Sequence, residues 1–248
     1  MPADEINCAL LLAAGRSTRM QGSVDDKILA PLQGRPVFTY SLSAFAACEL
    51  ISTICIVYRD EAQREQLAAA VAPSFGPEVI WARGGGERQD SVRYGLEAIP
   101  AEARHTLIHD CARPLVRPDL IRQLIETTRR DGAASPAHPV TDTIKRLSPG
   151  SGLRSAKLED LQRERLWAME TPQAFRHSDI LRAYRKVEER GLRVTDDCAA
   201  AAVTGIKMTL LHNTVPNPKI TTRADLDYAA FLQRKHVDGA GKSNSEVG

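Results

Sequence analysis

No apolar run in this sequence approaches the roughly 18 residues that mark a membrane-spanning helix, so none is expected. The start, Met1-Pro2-Ala3-Asp4-Glu5, is acidic and lacks the basic n-region of a secretory signal. Charge of one sign is not in excess either. The 33 Lys and Arg against 31 Asp and Glu leave a net charge of +2, without the clustered basic surplus of a nucleic-acid binder. A local basic site for a small anion remains open. The five cysteines (Cys8, Cys48, Cys55, Cys111 and Cys198) are odd in number and form no C-x-x-C pair. They read as reduced, mostly buried thiols of a cytoplasmic protein. The phosphate-binding loop G-x-x-x-x-G-K-S/T is missing, as is the dinucleotide fingerprint G-x-G-x-x-G. No Ser-His-Asp or Cys-His pattern is recognisable.

What is present is the composition of an ordinary globular protein. Of 248 residues, 43% are apolar and 26% charged. A chain of this size buries roughly 70–75% of its unfolded surface and needs no covalent staples. Strand-like runs at Cys8–Leu12, Ile51–Val57, Glu78–Trp81 and Thr106–His109 alternate with helical patterns at Val37–Ala47, Glu61–Val71, Gln89–Ile99 and Pro118–Thr128. That alternation predicts an α/β fold of three layers, a mostly parallel twisted sheet with helices on both faces. Ligands then bind beyond the carboxyl ends of the strands. Residues 138–172 break the rhythm. A strand over His138–Leu147, a turn at Ser148-Pro149-Gly150-Ser151-Gly152 and a short run at Leu166-Trp167 suggest a projecting arm. Helices follow over Asp179–Arg190 and from the capping-box-like Thr222-Arg223-Ala224-Asp225 to about Gln233. One domain is expected over 1–235, with a disordered tail at 236–248.

The loop after the first strand, Ala13-Ala14-Gly15-Arg16-Ser17-Thr18-Arg19-Met20, is small and polar and is suited to present backbone N–H groups to phosphate oxygens. It resembles the A-A-G-x-G-x-R-M motif, followed by a lysine, of the nucleotidylyltransferases that charge sugar and polyol phosphates. Five later stretches resemble that family in order. They are Gly84-Gly85-Gly86-Glu87-Arg88-Gln89-Asp90-Ser91-Val92, His109-Asp110-Cys111-Ala112-Arg113-Pro114, Pro139-Val140-Thr141-Asp142-Thr143-Ile144-Lys145, Thr171-Pro172-Gln173-Ala174-Phe175 and Asn217-Pro218-Lys219-Ile220-Thr221. The resemblance runs from about Ala9 to Leu232.

The resemblance implies a Rossmann-like domain that transfers a cytidylyl group from CTP to a polyol phosphate. The opening Ala13-Ala14-Gly15 leans toward methylerythritol 4-phosphate as acceptor, with ribitol 5-phosphate the alternative. An ionised acceptor phosphate needs no general base. The obstacle is repulsion between phosphates, about 4 kcal/mol per pair of unit charges at ~4 Å and an effective dielectric of ~20. Cations and positioning are therefore the expected means of catalysis. By resemblance, Arg19 and Lys27 are catalytic. Ala13, Ala14, Gly15, Arg19, Lys27, Gly85, Ser91 and Asp110 hold the nucleotide, and Asp110 also faces a divalent cation, Mg²⁺. Arg113, Thr143, Arg163, Thr171, Thr195 and Lys219 hold the acceptor phosphate. The arm implies a homodimer in which Arg163 completes the neighbouring site. Trp81 and Trp167 read as core or interface residues rather than platforms for a base.

Four departures stand out. Ser17 replaces the loop's second glycine, and Asp26-Lys27-Ile28 replaces Pro-Lys-Gln, setting a carboxylate where it could dilute the Lys27 charge. Gly86 takes a position that is often acidic, and Met169-Glu170 precedes Thr171 where Gln or Leu is more usual. Ser17 and Asp26 motivate a reading from another class, a catalytically weak nucleotide-binding protein.

Overall fold

The structure is a computed structural model that describes residues 5–15, 26–71 and 76–242, with 236–242 as backbone alone. Four parallel strands form its first half: β1 (Asn7–Leu12), β4 (Thr53–Tyr58), β5 (Glu78–Arg83) and β6 (His105–Asp110), in the order β5-β4-β1-β6. A two-residue pair, β2 (Pro31–Leu32) and β3 (Arg35–Pro36), precedes the first helix. Side chains alternate across the sheet and both faces are covered. Ala9 and Leu11 pack with Phe38, Phe45 and Leu67 of α1 (Val37–Ala46) and α2 (Glu61–Ala69), and with Leu124 of α4 (Pro118–Asp131). Cys8 and Leu10 face the other way, onto Val92 and Leu96 of α3 (Arg88–Ala98) and Tyr184 of α5 (His177–Glu189). This period-two burial on two faces makes the three layers. Gly95 lets α3 lie close, because a Cβ there would stand 2.8 Å from the Val57 Cγ2 and nearer still to Leu10.

The second half extends the sheet past β6. The strand β11 (Gln173–Arg176) runs antiparallel between β6 and β7 (Ala133–Pro139). Its forerunner β10 (Trp167–Met169) pairs further along β7, and β12 (Thr209–His212) pairs with β7 in parallel. Across Glu170–Pro172 the register Met169↔Ala137 becomes Ala174↔Ala134, so this chain carries more residues than its partner, a bulge. The bulge contains a cis Thr171–Pro172 peptide and brings Thr171 beneath the end of β6.

The strand expected over His138–Leu147 is corrected: β7 ends at Pro139, and β8 (Lys145–Leu147) pairs with β9 (Leu158–Asp160) in a sheet of its own. Ala-Ala-Ser-Pro-Ala-His-Pro has poor strand propensity, and backbone pairing with β10, β11 and β12 overrides it. The β8–β9 hairpin exposes Ile144, Leu147, Leu153 and Leu158. Two further helices are α6 (Asp197–Ala202) and α7 (Arg223–Lys242). The α7 start is the expected capping box, in which Thr222 and Asp225 exchange hydrogen bonds. Its end lies beyond Gln233, so the segment expected to be disordered from 236 begins inside a helix.

Candidate active site

The strand order reverses at β1, whose neighbours are β4 and β6, and ligands of open α/β sheets bind outside such a point. Ala13, Ala14 and Gly15 leave β1 there. The Ala13 N–H donates to the Val57 carbonyl at 2.9 Å, and its own carbonyl accepts from Gln63 Nε2 at 3.0 Å. The same Nε2 donates to Asp26 at 2.6 Å, so buried Gln63 ties together the two ends of the segment 13–26. Arg59 Nη1 (3.1 Å) and the Ile28 N–H (3.2 Å) also reach the Asp26 carboxylate. Lys27 is half-buried in the turn that Asp26 opens. Arg19 and Ser17 lie outside the described residues.

Opposite this loop, β5 leads into α3 through Gly84–Glu87. A Cβ on Gly84 would lie 2.6 Å from the Ala14 Cβ and 2.9 Å from the Ser91 Oγ, so the two loops touch only because both are small. Ser91 sits in the first turn of α3. Its hydroxyl accepts from the Gly85 N–H at 3.0 Å and donates to the Glu87 carbonyl at 3.2 Å, which shapes the turn that carries Gly85.

Asp110 ends β6. Lys219 Nζ lies 2.5 Å from its Oδ2 and Arg88 Nη2 3.5 Å from its Oδ1. Burial pushes this carboxyl up, but Arg88, Lys219 and Arg113 outweigh it and hold the group well below the usual carboxylate range. Arg113 donates through Nη1 to the Asn217 carbonyl (2.7 Å) and through Nη2 to the Met169 carbonyl (3.4 Å), while its buried Nε has no partner. Burial lowers its pKa, and Asp110 and Glu170 offset part of that loss.

Thr171 Oγ1 accepts from the Asp110 N–H at 3.1 Å and lies 3.1 Å from His109 Nδ1. Burial drives the His109 imidazole down to about 4, which leaves it neutral near pH 7. Ser41 Oγ stands 3.2 Å from its Nε2, but both side chains are fully buried, so the pair is no accessible nucleophile. Burial also raises the thiol of Cys8 to about 11 and those of Cys55 and Cys198 to about 12, which leaves no thiolate.

The structure thus brings together Asp110, Arg113, Thr171 and Lys219. Thr143, Arg163 and Thr195 are exposed, and no hydrogen bond links them to this cluster. Arg163, on the arm, donates to the Thr141 carbonyl at 3.1 Å. Five participants were assigned no role from the sequence. Arg88 binds Asp197 with two 2.9 Å hydrogen bonds, and Tyr184 donates to the same carboxylate at 2.5 Å. Gln63 was missed as well, and Glu170 was noted only as a departure. Arg88 lay inside a quoted motif and Glu170 stood out beside Thr171; Asp197, Tyr184 and Gln63 carry no local signal.

Cations gathered around one ionised carboxylate at the switch point, without an accessible nucleophile–base pair among the described residues, are the arrangement of a nucleotidyltransferase. The family model described as IspD, 2-C-methyl-D-erythritol 4-phosphate cytidylyltransferase, matches residues 7–235. The chain belongs to that family. It is 38% identical over 223 residues to the enzyme of that name from Prochlorococcus marinus (strain MIT 9313), covering 89% of this chain and 95% of the relative. It is 37% identical over 227 residues to that of Dehalococcoides mccartyi (strain CBDB1), covering 92% and 96%. Among solved structures it resembles the 4-diphosphocytidyl-2C-methyl-D-erythritol synthase of Anaerococcus prevotii DSM 20548, with a TM-score of 0.79, 25% identity and coverage of 92% and 96%. The 2-C-methyl-D-erythritol 4-phosphate cytidylyltransferase of Thermus thermophilus gives a TM-score of 0.72 at 26% identity, covering 91% and 98%.

Proposed function

We propose that this protein transfers the cytidylyl group of CTP to 2-C-methyl-D-erythritol 4-phosphate, releasing pyrophosphate, in isoprenoid precursor synthesis. An acceptor phosphate oxygen attacks the α-phosphorus of CTP. The new P–O bond forms as the bond to the β-phosphate oxygen breaks, and pyrophosphate leaves. The observation that carries the reading is the Asp110 cluster, with Lys219, Arg88 and Arg113 around one carboxylate at the end of β6. Arg113 and Lys219 would receive the acceptor phosphate, a reading supported by their position beside Asp110. Ala13–Gly15 and Gly85 offer backbone to the nucleotide, which Lys27 and Arg19 would hold by its triphosphate. Thr171 acts from below, by fixing the Asp110 backbone.

The described residues contain no group of three or more His, Cys, Asp or Glu able to cage a metal. Mg²⁺ suits such a site, since it is often held by one carboxylate and substrate phosphates. Asp110, kept ionised, is the residue to hold it. Bound there, the ion would neutralise phosphate charge.

The exposed apolar residues of the β8–β9 hairpin support a homodimer in which Arg163 reaches the partner's acceptor site. No helix among the described residues is long and apolar enough to cross a membrane. All five cysteines are free, which supports a reducing cytoplasmic setting. Pyrophosphate release with CTP, Mg²⁺ and either methylerythritol 4-phosphate or ribitol 5-phosphate tests the reading. Preference for the first supports it, and preference for the second reassigns the acceptor.

A further inference from the structure

Glu170 stands directly before Thr171, where the family pattern more often has Gln or Leu, and its side chain is 3% exposed. A carboxylate is costly to bury unless each oxygen is hydrogen-bonded. Here each is. Oε1 lies 2.7 Å from His138 Nδ1, and Oε2 accepts from Asn213 Nδ2 at 2.9 Å and Asn217 Nδ2 at 3.1 Å. The Glu170 N–H donates to the Pro136 carbonyl at 3.0 Å, so the residue is pinned to β7 while its side chain reaches the loop between β12 and α7. That loop carries two parts of the site. The Asn217 carbonyl holds Arg113, and Lys219 meets Asp110. The Met169 carbonyl, adjacent to Glu170, takes the other end of the guanidinium.

We propose that Glu170 is a positioning residue of the acceptor site: its buried carboxylate fixes the Asn213–Lys219 loop, so that the Asn217 and Met169 carbonyls clamp Arg113 and Lys219 reaches Asp110. The identity of the acceptor rests on the proposed reaction; the clamp does not. Its energetic basis is hydrogen bonding. An amide at this position serves the same neighbours, because its oxygen accepts from the two asparagines and its NH₂ faces the His138 ring nitrogen. An alanine leaves Asn213 Nδ2 without its acceptor and Asn217 Nδ2 with only its 3.0 Å bond to the Thr171 carbonyl.

The experiment compares the parent chain with Glu170→Ala and Glu170→Gln in steady-state kinetics with CTP and methylerythritol 4-phosphate. It adds ¹⁵N-arginine NMR of Arg113 Nε–H exchange, which needs no turnover. Glu170→Ala is expected to raise KM for the acceptor about tenfold, equivalent to ~1.4 kcal/mol, with KM for CTP within about twofold and Glu170→Gln close to the parent. If Glu170→Ala does not fold, Asn213→Ala, which leaves Oε2 its bond from Asn217, is expected to raise acceptor KM by about threefold. An unchanged acceptor KM in the folded variant, or both KM values rising together, overturns the proposal. A parent chain without turnover overturns the reaction instead. The NMR then decides: faster Nε–H exchange in Glu170→Ala than in the parent and Glu170→Gln upholds the clamp, and equal exchange overturns it.

Discussion

Asp110 and His109 are neighbours in sequence and both are buried, yet their titrations matter in different pH windows. For Asp110 the surrounding cations hold the folded pKa below its unfolded value. Its contribution to stability is present above the ordinary carboxylate range and is lost only as pH falls below it. Burial lowers His109 and His105 from 6.5 to about 4, so between those values the unfolded chain binds protons that the native chain refuses. Stability should therefore begin to fall below pH 6.5, by up to ~1.4 kcal/mol per pH unit for each imidazole, before Asp110 adds its loss in stronger acid. Urea-unfolding midpoints measured from pH 8 to 3.5 check this. A midpoint that stays level down to pH 4.5 would contradict the buried, neutral imidazoles.

Among the elements, α2 has a duty beyond packing. Gln63 ties the carbonyl of Ala13 to the carboxylate of Asp26, and Asp26 precedes Lys27. Gln63→Ala removes both bonds at a net cost of about 0.5–1.5 kcal/mol each. The expected outcome is a raised KM for CTP with the acceptor KM unmoved, since Arg113, Lys219 and Thr171 hang on other elements. Steady-state kinetics with each substrate varied in turn read it out. The elements that could be read from sequence were those whose apolar pattern is local: β1, β4 and β6 as apolar or β-branched runs, α1 behind Pro36, α4 behind Pro118. The strand β7 could not be read that way, because its Ala- and Pro-containing segment is ordered by partners remote in sequence. The site divides similarly. Asp110, Arg113, Thr171 and Lys219 lay in motifs that resemble a family and converge in space. Asp197 pairs with Arg88 and Glu170 with Asn213 and Asn217 across long stretches of chain, and composition and spacing carry no trace of such pairings.

At the scale of the whole molecule, Thr143 and Arg163 are exposed and unlinked to the Asp110 cluster of their own chain. The proposed second subunit that borrows Arg163 would account for that separation and for the apolar exposure of the hairpin. Inactive Arg163→Ala and Asp110→Ala chains, mixed and allowed to exchange subunits, should then regain turnover, because one of the two sites in a hybrid dimer is intact. Mixtures that stay inactive while hybrids form would place Arg163 in its own chain's site or in none.

The central claim is that a cluster of cations around Asp110 joins two phosphates without a protein nucleophile. The most direct measurement is ³¹P NMR of the purified chain turning over CTP and methylerythritol 4-phosphate with Mg²⁺. The account predicts that the acceptor monoester signal is replaced by two coupled diphosphate resonances, with one equivalent of pyrophosphate. Release of CMP and pyrophosphate with the monoester unchanged, or no reaction at all, would contradict it.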